Sequence, residues 1–280
     1  MFTRIKRSFD LVRASAQVLR QDNHLVLFPV ISAAAMLCVL AAFALPVFGF
    51  ASIDGLGRGG LYSVAFLFYV VQYFVIFYFN VALVGAVMIR LDGGSPTLAD
   101  GLRVANGRIG AILGYAVISA TVGVILRTIQ ERLGFIGRLV AGLLGAGWTV
   151  ATFLVVPVIV TRDGGAIASI SESTALLKRT WGENVVGQVG MSAAFGAIYF
   201  GLVALAVMLA LLAFPAAGTA SPALIVLFVA VIGLGFLACV LLHATLSGIY
   251  AAVLYRYAVD GRGAPGFGGD VLGAAFRQKS

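Results

Sequence analysis

Long uncharged apolar stretches alternate with short charged ones along the chain. Leu25–Gly49, Leu61–Ile89, Ile109–Leu126 and Leu139–Val160 carry no formal charge. A transmembrane helix needs about 20 mostly apolar residues, so each predicts one span. A further uncharged stretch runs from Asn184 to Tyr255, too long for one crossing. The segment "FPAAGTASP" (Phe214–Pro222) divides it, because Pro and Gly clusters end helices. That leaves a fifth span over Val185–Ala213 and a sixth over Ala223–Tyr255. The pattern predicts an all-α polytopic membrane helical bundle, with six transmembrane helices in three hairpins. Several spans exceed the hydrocarbon thickness, so they should tilt or protrude.

The polar connections give the orientation. With the N-terminus, the 2–3 and 4–5 connections and the C-terminus on one side, fifteen Lys and Arg residues fall there and four on the other. Positive charge accumulates on the cytoplasmic side, so both termini should be cytoplasmic and the protein multi-pass in the cytoplasmic (inner) membrane. The first apolar run is too long for a cleavable signal and reads as an anchor. One membrane domain is expected over 1–280: a cytoplasmic amphipathic segment 1–22, six spans within 25–255 and a tail 256–280.

The cytoplasmic segments resemble one another. "SFDLVRASAQVLRQDNHLVLFP", "TLADGLRVANGRIGAILGY" and "AIASISESTALLKRTWGENVVGQVG" each place a short helix and a charged or amide corner before a span. Phe9, Val12, Ala16 and Leu19 share one helical face, as do Ile170, Thr174, Leu177 and Trp181. The reading is three repeats, each an interfacial helix followed by a hairpin. Such helices lie in the headgroup plane, where Lys6, Arg7, Arg13, Lys178, Arg179 and Trp181 would meet lipid headgroups.

Composition agrees. The 280 residues are 61% hydrophobic and 11% charged, less than half the roughly 25% of soluble proteins. The net charge of +8 is a topology signal and a contact for anionic headgroups. Nucleic acid is not an expected partner, because no compact basic domain exists to hold it. Cys38 and Cys239 lie in apolar runs without ligand spacing and read as buried hydrophobes.

"KRTWGEN", "DGLRVANGRIG" and "WTVATFLVVPVIV" together resemble a family of six-span bacterial membrane proteins of unknown function, over nearly the whole chain. The helix-then-hairpin layout is more distantly similar to the membrane domain of some glycerophosphoryl diester phosphodiesterases. The catalytic barrel of those enzymes has no counterpart here, and the resemblance implies no activity.

Chemistry-bearing motifs are sparse. There is no HExxH, GxSxG or CxxC, and "GLGRGGL" (Gly55–Leu61) lacks the Lys-Ser/Thr of a phosphate loop. No carboxylate falls mid-span, where a proton or cation pump usually holds one. No catalytic pair, cofactor or metal is expected. A small intramembrane polar set remains: Asn80, Tyr73, His243 and Ser247, with Cys239 one turn before the histidine. Asn80 lies about 15 Å along the helix from Arg90, near the bilayer midplane. Its amide should point inward to a polar partner, His243 first, either as a helix-joining hydrogen bond or as part of a solute path. At the outer 3–4 turn, Arg127, Glu131, Arg132 and Arg138 form either an ion-pair network closing the hairpin or an anion or headgroup site, with Arg127 and Glu131 paired four apart. Gly137, Ala141, Gly145 and Thr149 on span four, with Gly110 and Gly114 on span three, predict a close helix pair. Pro157 should loosen span four near its cytoplasmic end.

The expected function is non-enzymatic: a membrane scaffold or lipid-associated module, partnered by anionic headgroups and by another membrane protein. The alternative is a transporter or channel for a small or lipidic solute. A hydrated cavity reaching Asn80 or His243 would favour the transporter, and dry packing around both the scaffold.

Overall fold

The computed structural model describes residues 15–49, 57–179, 195–210 and 222–260. Every regular element among them is helical. α1 (15–21) leads through a 3-10 turn (Asn23–Val26) into α2 (Leu27–Gly49). α3 (Gly57–Leu91), α4 (Leu98–Gly107), α5 (Ile109–Arg132), α6 (Gly134–Ala151), α7 (Val155–Thr161) and α8 (Ala166–Arg179) follow, then α9 (Phe195–Ala210) and α10 (Pro222–Asp260). Among the described residues, five stretches are long and apolar enough to cross a membrane: those of α2, α3, α5, α6 with α7, and α10. α9 is the described part of the expected fifth span. Leu37, Tyr62, Phe135, Leu143, Val226 and Leu234 project outward with more than three fifths of their surface exposed. Apolar patches of this extent mark membrane or protein contacts, and with the candidate spans they make this a helical bundle of the membrane-protein kind.

α3 is the hub, packing on α2, α4, α5, α7 and α10. Its residues 71–80 are half-buried, and Val81 to Val87 are wholly buried. The core is therefore concentrated at the Arg90 end of α3, where Leu25, Phe28, Ile112, Leu154, Ile159, Ile249, Tyr250 and Leu254 meet it. α3 ends where Gly93 takes a φ of 88°, a left-handed conformation that suits glycine. α4 starts at a capping box: the Thr97 hydroxyl accepts from the Asp100 N–H at 3.2 Å, and an Asp100 carboxylate oxygen accepts from the Thr97 N–H at 3.0 Å. The Thr97 hydroxyl and N–H hold the Asp100 carboxyl below its ordinary value of 3.8. A depressed carboxylate stabilises the fold above that value and loses its contribution as pH falls through the lowered native one.

The short helices use their apolar faces on protein. Gly101 and Ala105 of α4 are buried against α3, and the Cβ that Gly85 lacks would lie 2.8 Å from Val104. α8 buries Ala166, Ser169, Ser173 and Leu177. This face is rotated from the expected Ile170–Thr174–Leu177 line, and α8 packs on α5, α6 and α7. In α1, Val18 is buried while Ala16 and Leu19 border the core.

The expected close pairing of spans three and four is present, but on one set of small residues. Gly137 and Ala141 are buried, and Gly145 would place a Cβ 3.6 Å from Leu126 of α5. Gly114 instead faces Ala166 of α8, and Gly110 faces open space. α5 continues six residues past the expected end of its apolar run, through the charged positions to Arg132.

Span four is broken upstream of its proline. Pro157 cannot donate to the carbonyl four residues earlier and its ring crowds it, so the interruption falls at 152–154. Leu154 thereby loses its helical acceptor, and its N–H donates to Ser173 Oγ at 3.2 Å. Ser173 Oγ donates in turn to the Ala151 carbonyl at 2.7 Å. One hydroxyl from α8 thus satisfies both freed backbone groups, which explains the turn of α8 toward its serines.

Candidate functional site

Ion pairs join the helix ends around Arg90 and Arg108. Arg90, closing α3, pairs with Asp22, which precedes α2, at 3.0 Å, and also donates to Gln21 Oε1 at 3.3 Å. Arg108, preceding α5, pairs with Asp163, which follows α7. These are corresponding positions in the first two hairpins with the signs exchanged. Arg256 of α10 reaches Asp92 at 2.8 Å, and Arg162 pairs with Glu172 at 3.1 Å. Thr161 Oγ1 donates to Tyr255 Oη at 2.7 Å and Tyr78 Oη to Asn106 Oδ1 at 2.8 Å. Exposed pairs contribute about 0–1 kcal/mol each; Arg90–Asp22, with 14% of the Asp22 side chain exposed, is the most enclosed of these.

The four intramembrane polar candidates do not form one cluster. Asn80 lines a cavity of about 200 Å³ between α2, α3 and α10, with Ser32, Met36, Phe79, Val240 and Ala244 among its walls. Val240 and Ala244 are exposed, so the cavity communicates with the exterior on the α10 side. Immediately beyond Asn80, toward Arg90, lies the buried run Val81–Val87. The Asn80 amide is half-buried and has no hydrogen-bond partner among the described residues.

His243 is not the partner of Asn80. Its ring stacks on Phe195 with centroids 4.1 Å apart and 13° between planes, and its Nδ1 shares a hydrogen bond with Tyr199 Oη at 3.2 Å. The imidazole therefore ties α10 to α9 through an aromatic contact. Ser247, one turn on, is half-buried. Tyr73 stacks on Phe77, which stacks on Tyr115 of α5. Tyr73 shares its helix face with Asn80 but opens on a different space, a cavity of about 120 Å³ between α3 and α5 lined by Tyr69, Tyr73, Ala120, Gly123, Val124 and Arg127.

At the turn between α5 and α6 the expected i, i+4 pair is formed, with Arg127 Nε 2.8 Å from Glu131 Oε1. Arg127 Nη1 also donates to Tyr69 Oη at 2.9 Å. Arg132 and Arg138 are exposed and join neither contact. Of the expected headgroup contacts, Lys178 is exposed, while Lys6, Arg7, Arg13, Trp181 and the side chain of Arg179 lie outside the described residues. Arg20 and Arg103, on α1 and α4, are exposed too. Among the described residues no three His, Cys, Asp or Glu side chains converge as metal ligands.

Sequence reading missed Ser173, Ser32 and Gly101. A glycine inside a helix costs about 1 kcal/mol relative to alanine, so Gly101 did carry a signal of close approach. The other two depend on long-range contacts. Because the Asn80 amide has no partner, Asn80→Leu should leave stability in detergent unchanged or raise it by about 1 kcal/mol. A clear loss on thermal unfolding would show that the amide holds a bond.

No curated protein matches the chain. A family model matches residues 60–267, from α3 to beyond α10, and the chain belongs to the family of unknown function DUF6159.

Proposed function

We propose that this protein is a non-enzymatic, lipid-associated module of the cytoplasmic membrane, with both termini inside and anionic headgroups as its partners. One observation carries the reading. α1, α4 and α8 turn their apolar faces to the bundle and leave Arg20, Arg103 and Lys178 exposed. A basic residue close to an anionic surface contributes about 1 kcal/mol. Together with the charged segments around them, these helices make a basic collar at the headgroup level.

The runner-up is a transporter of a small or lipidic solute, favoured by the cavity at Asn80. That cavity ends on the buried run Val81–Val87, an arrangement suited to holding a molecule more than to passing one. A transporter working through Asn80 should lose uptake in the Asn80→Leu variant while remaining folded.

The collar is tested by reversing its charges. Purified wild-type protein should retain anionic phospholipid in native mass spectrometry. The R20E/R103E/K178E variant should retain several-fold less while unfolding at a similar temperature. Equal retention by a folded triple variant would remove the proposal.

A further inference from the structure

We infer that the Arg127 pocket on the outer side binds the phosphodiester of a membrane phospholipid. This site is independent of the cytoplasmic collar, at the opposite end of the bundle. Arg127 stands nineteen residues beyond Arg108 on the α5 side, roughly 28 Å along a helix. With Arg108 at the cytoplasmic boundary, that distance matches the hydrocarbon thickness of about 30 Å and puts the guanidinium at the opposite headgroup boundary.

The pocket is rich in donors. Arg127 uses one N–H on Glu131 and one on Tyr69. A guanidinium carries five N–H groups, so three remain. The Tyr69 hydroxyl accepts from Arg127 and keeps its own proton to donate. The Tyr73 hydroxyl makes no hydrogen bond among the described residues. Gly123 lies beneath it, where a Cβ would meet Tyr73 Oη at an ordinary contact distance of 3.5 Å. The floor of Ala120, Gly123 and Val124 is apolar.

Donors from a guanidinium and two phenols above an apolar floor match a ligand with oxyanion acceptors at one end and hydrocarbon at the other. A phospholipid has that form. Free phosphate offers the acceptors without the hydrocarbon, and diacylglycerol the hydrocarbon without the oxyanion. Glu131 competes for Arg127 and repels an incoming anion. Across Arg127, Glu131, Arg132 and Arg138 the formal charge remains +2, which favours the anion.

The full chain in detergent, titrated with phosphatidylglycerol in mixed micelles and read by native mass spectrometry, tests the site. Arg127→Gln should weaken one bound lipid about tenfold, the scale of a charge-assisted hydrogen bond. Tyr73→Phe, which keeps the ring packing, should weaken it about threefold. Glu131→Gln should tighten it about threefold. The same shifts should appear in the R20E/R103E/K178E background, which separates this site from the collar. Inorganic phosphate and diacylglycerol should not displace the lipid. Unchanged binding in both Arg127→Gln and Glu131→Gln would overturn the inference. Displacement by phosphate alone would overturn the lipid assignment, and displacement by diacylglycerol the role of the phosphodiester.

Discussion

Gly101→Val should lower the unfolding free energy by about 3 kcal/mol. A Cβ at Gly101 would lie 2.5 Å from Phe28 Cζ and 2.6 Å from the Ala82 carbonyl oxygen. Phe28 is only 1% exposed, so its ring has no free space to enter, and the second obstacle is backbone. Interiors packed this closely respond to one added carbon by displacing whole elements. α4 must move off α3, taking its capped N-terminus with it. Gly142, in the middle of α6, is the control. Nothing lies within 4 Å of its missing Cβ, and Gly142→Ala should gain up to about 1 kcal/mol from helix propensity. Thermal unfolding in one detergent checks both. A Gly101→Val protein as stable as wild type would mean that α4 does not seat on α3 as described.

Ser173→Ala has the next largest expected effect, a loss of about 1–3 kcal/mol. The serine is wholly buried, and its removal leaves the Leu154 N–H and the Ala151 carbonyl unpaired where water does not reach. The loss should depend on the proline that caused the break. With Pro157→Ala, the helix can close across residues 152–154 and Leu154 can donate within it. Ser173→Ala should then cost less in the Pro157→Ala background than in wild type. Equal losses in the two backgrounds, measured as a double-mutant cycle, would show that the hydroxyl does not serve the break.

The features legible in the sequence are those fixed by local spacing. Uncharged runs located the five long apolar helices, since a long apolar helix needs no tertiary information to be recognised. The Arg127–Glu131 pair followed from a four-residue offset, and the contact of α6 with α5 from small residues at the same offset. The failures share a cause. Tyr73 and Asn80 are seven residues apart and lie on one face, yet the neighbour of that face changes along α3. α5 lies against it at Tyr73 and Phe77, and α2 with α10 enclose the space at Asn80. No periodicity encodes that change. His243 was placed at the right depth for Asn80, but depth does not say which way a side chain turns, and Phe195 and Tyr199 hold it toward α9. The face of α8 was misread because its buried residues include Ser169 and Ser173, polar groups wanted by a helix break in another element. Pro157 announced that break but not its position a turn earlier.

The most direct test of the lipid-associated reading is the thermal stability of the full chain in nanodiscs, measured as neutral phospholipid is replaced stepwise by anionic phospholipid at low and high salt. A basic collar at the headgroups predicts an unfolding temperature that rises with the anionic fraction. The rise should shrink sharply near 1 M salt, where screening acts over about 3 Å. An unfolding temperature indifferent to headgroup charge, or a rise that salt leaves intact, would contradict the account.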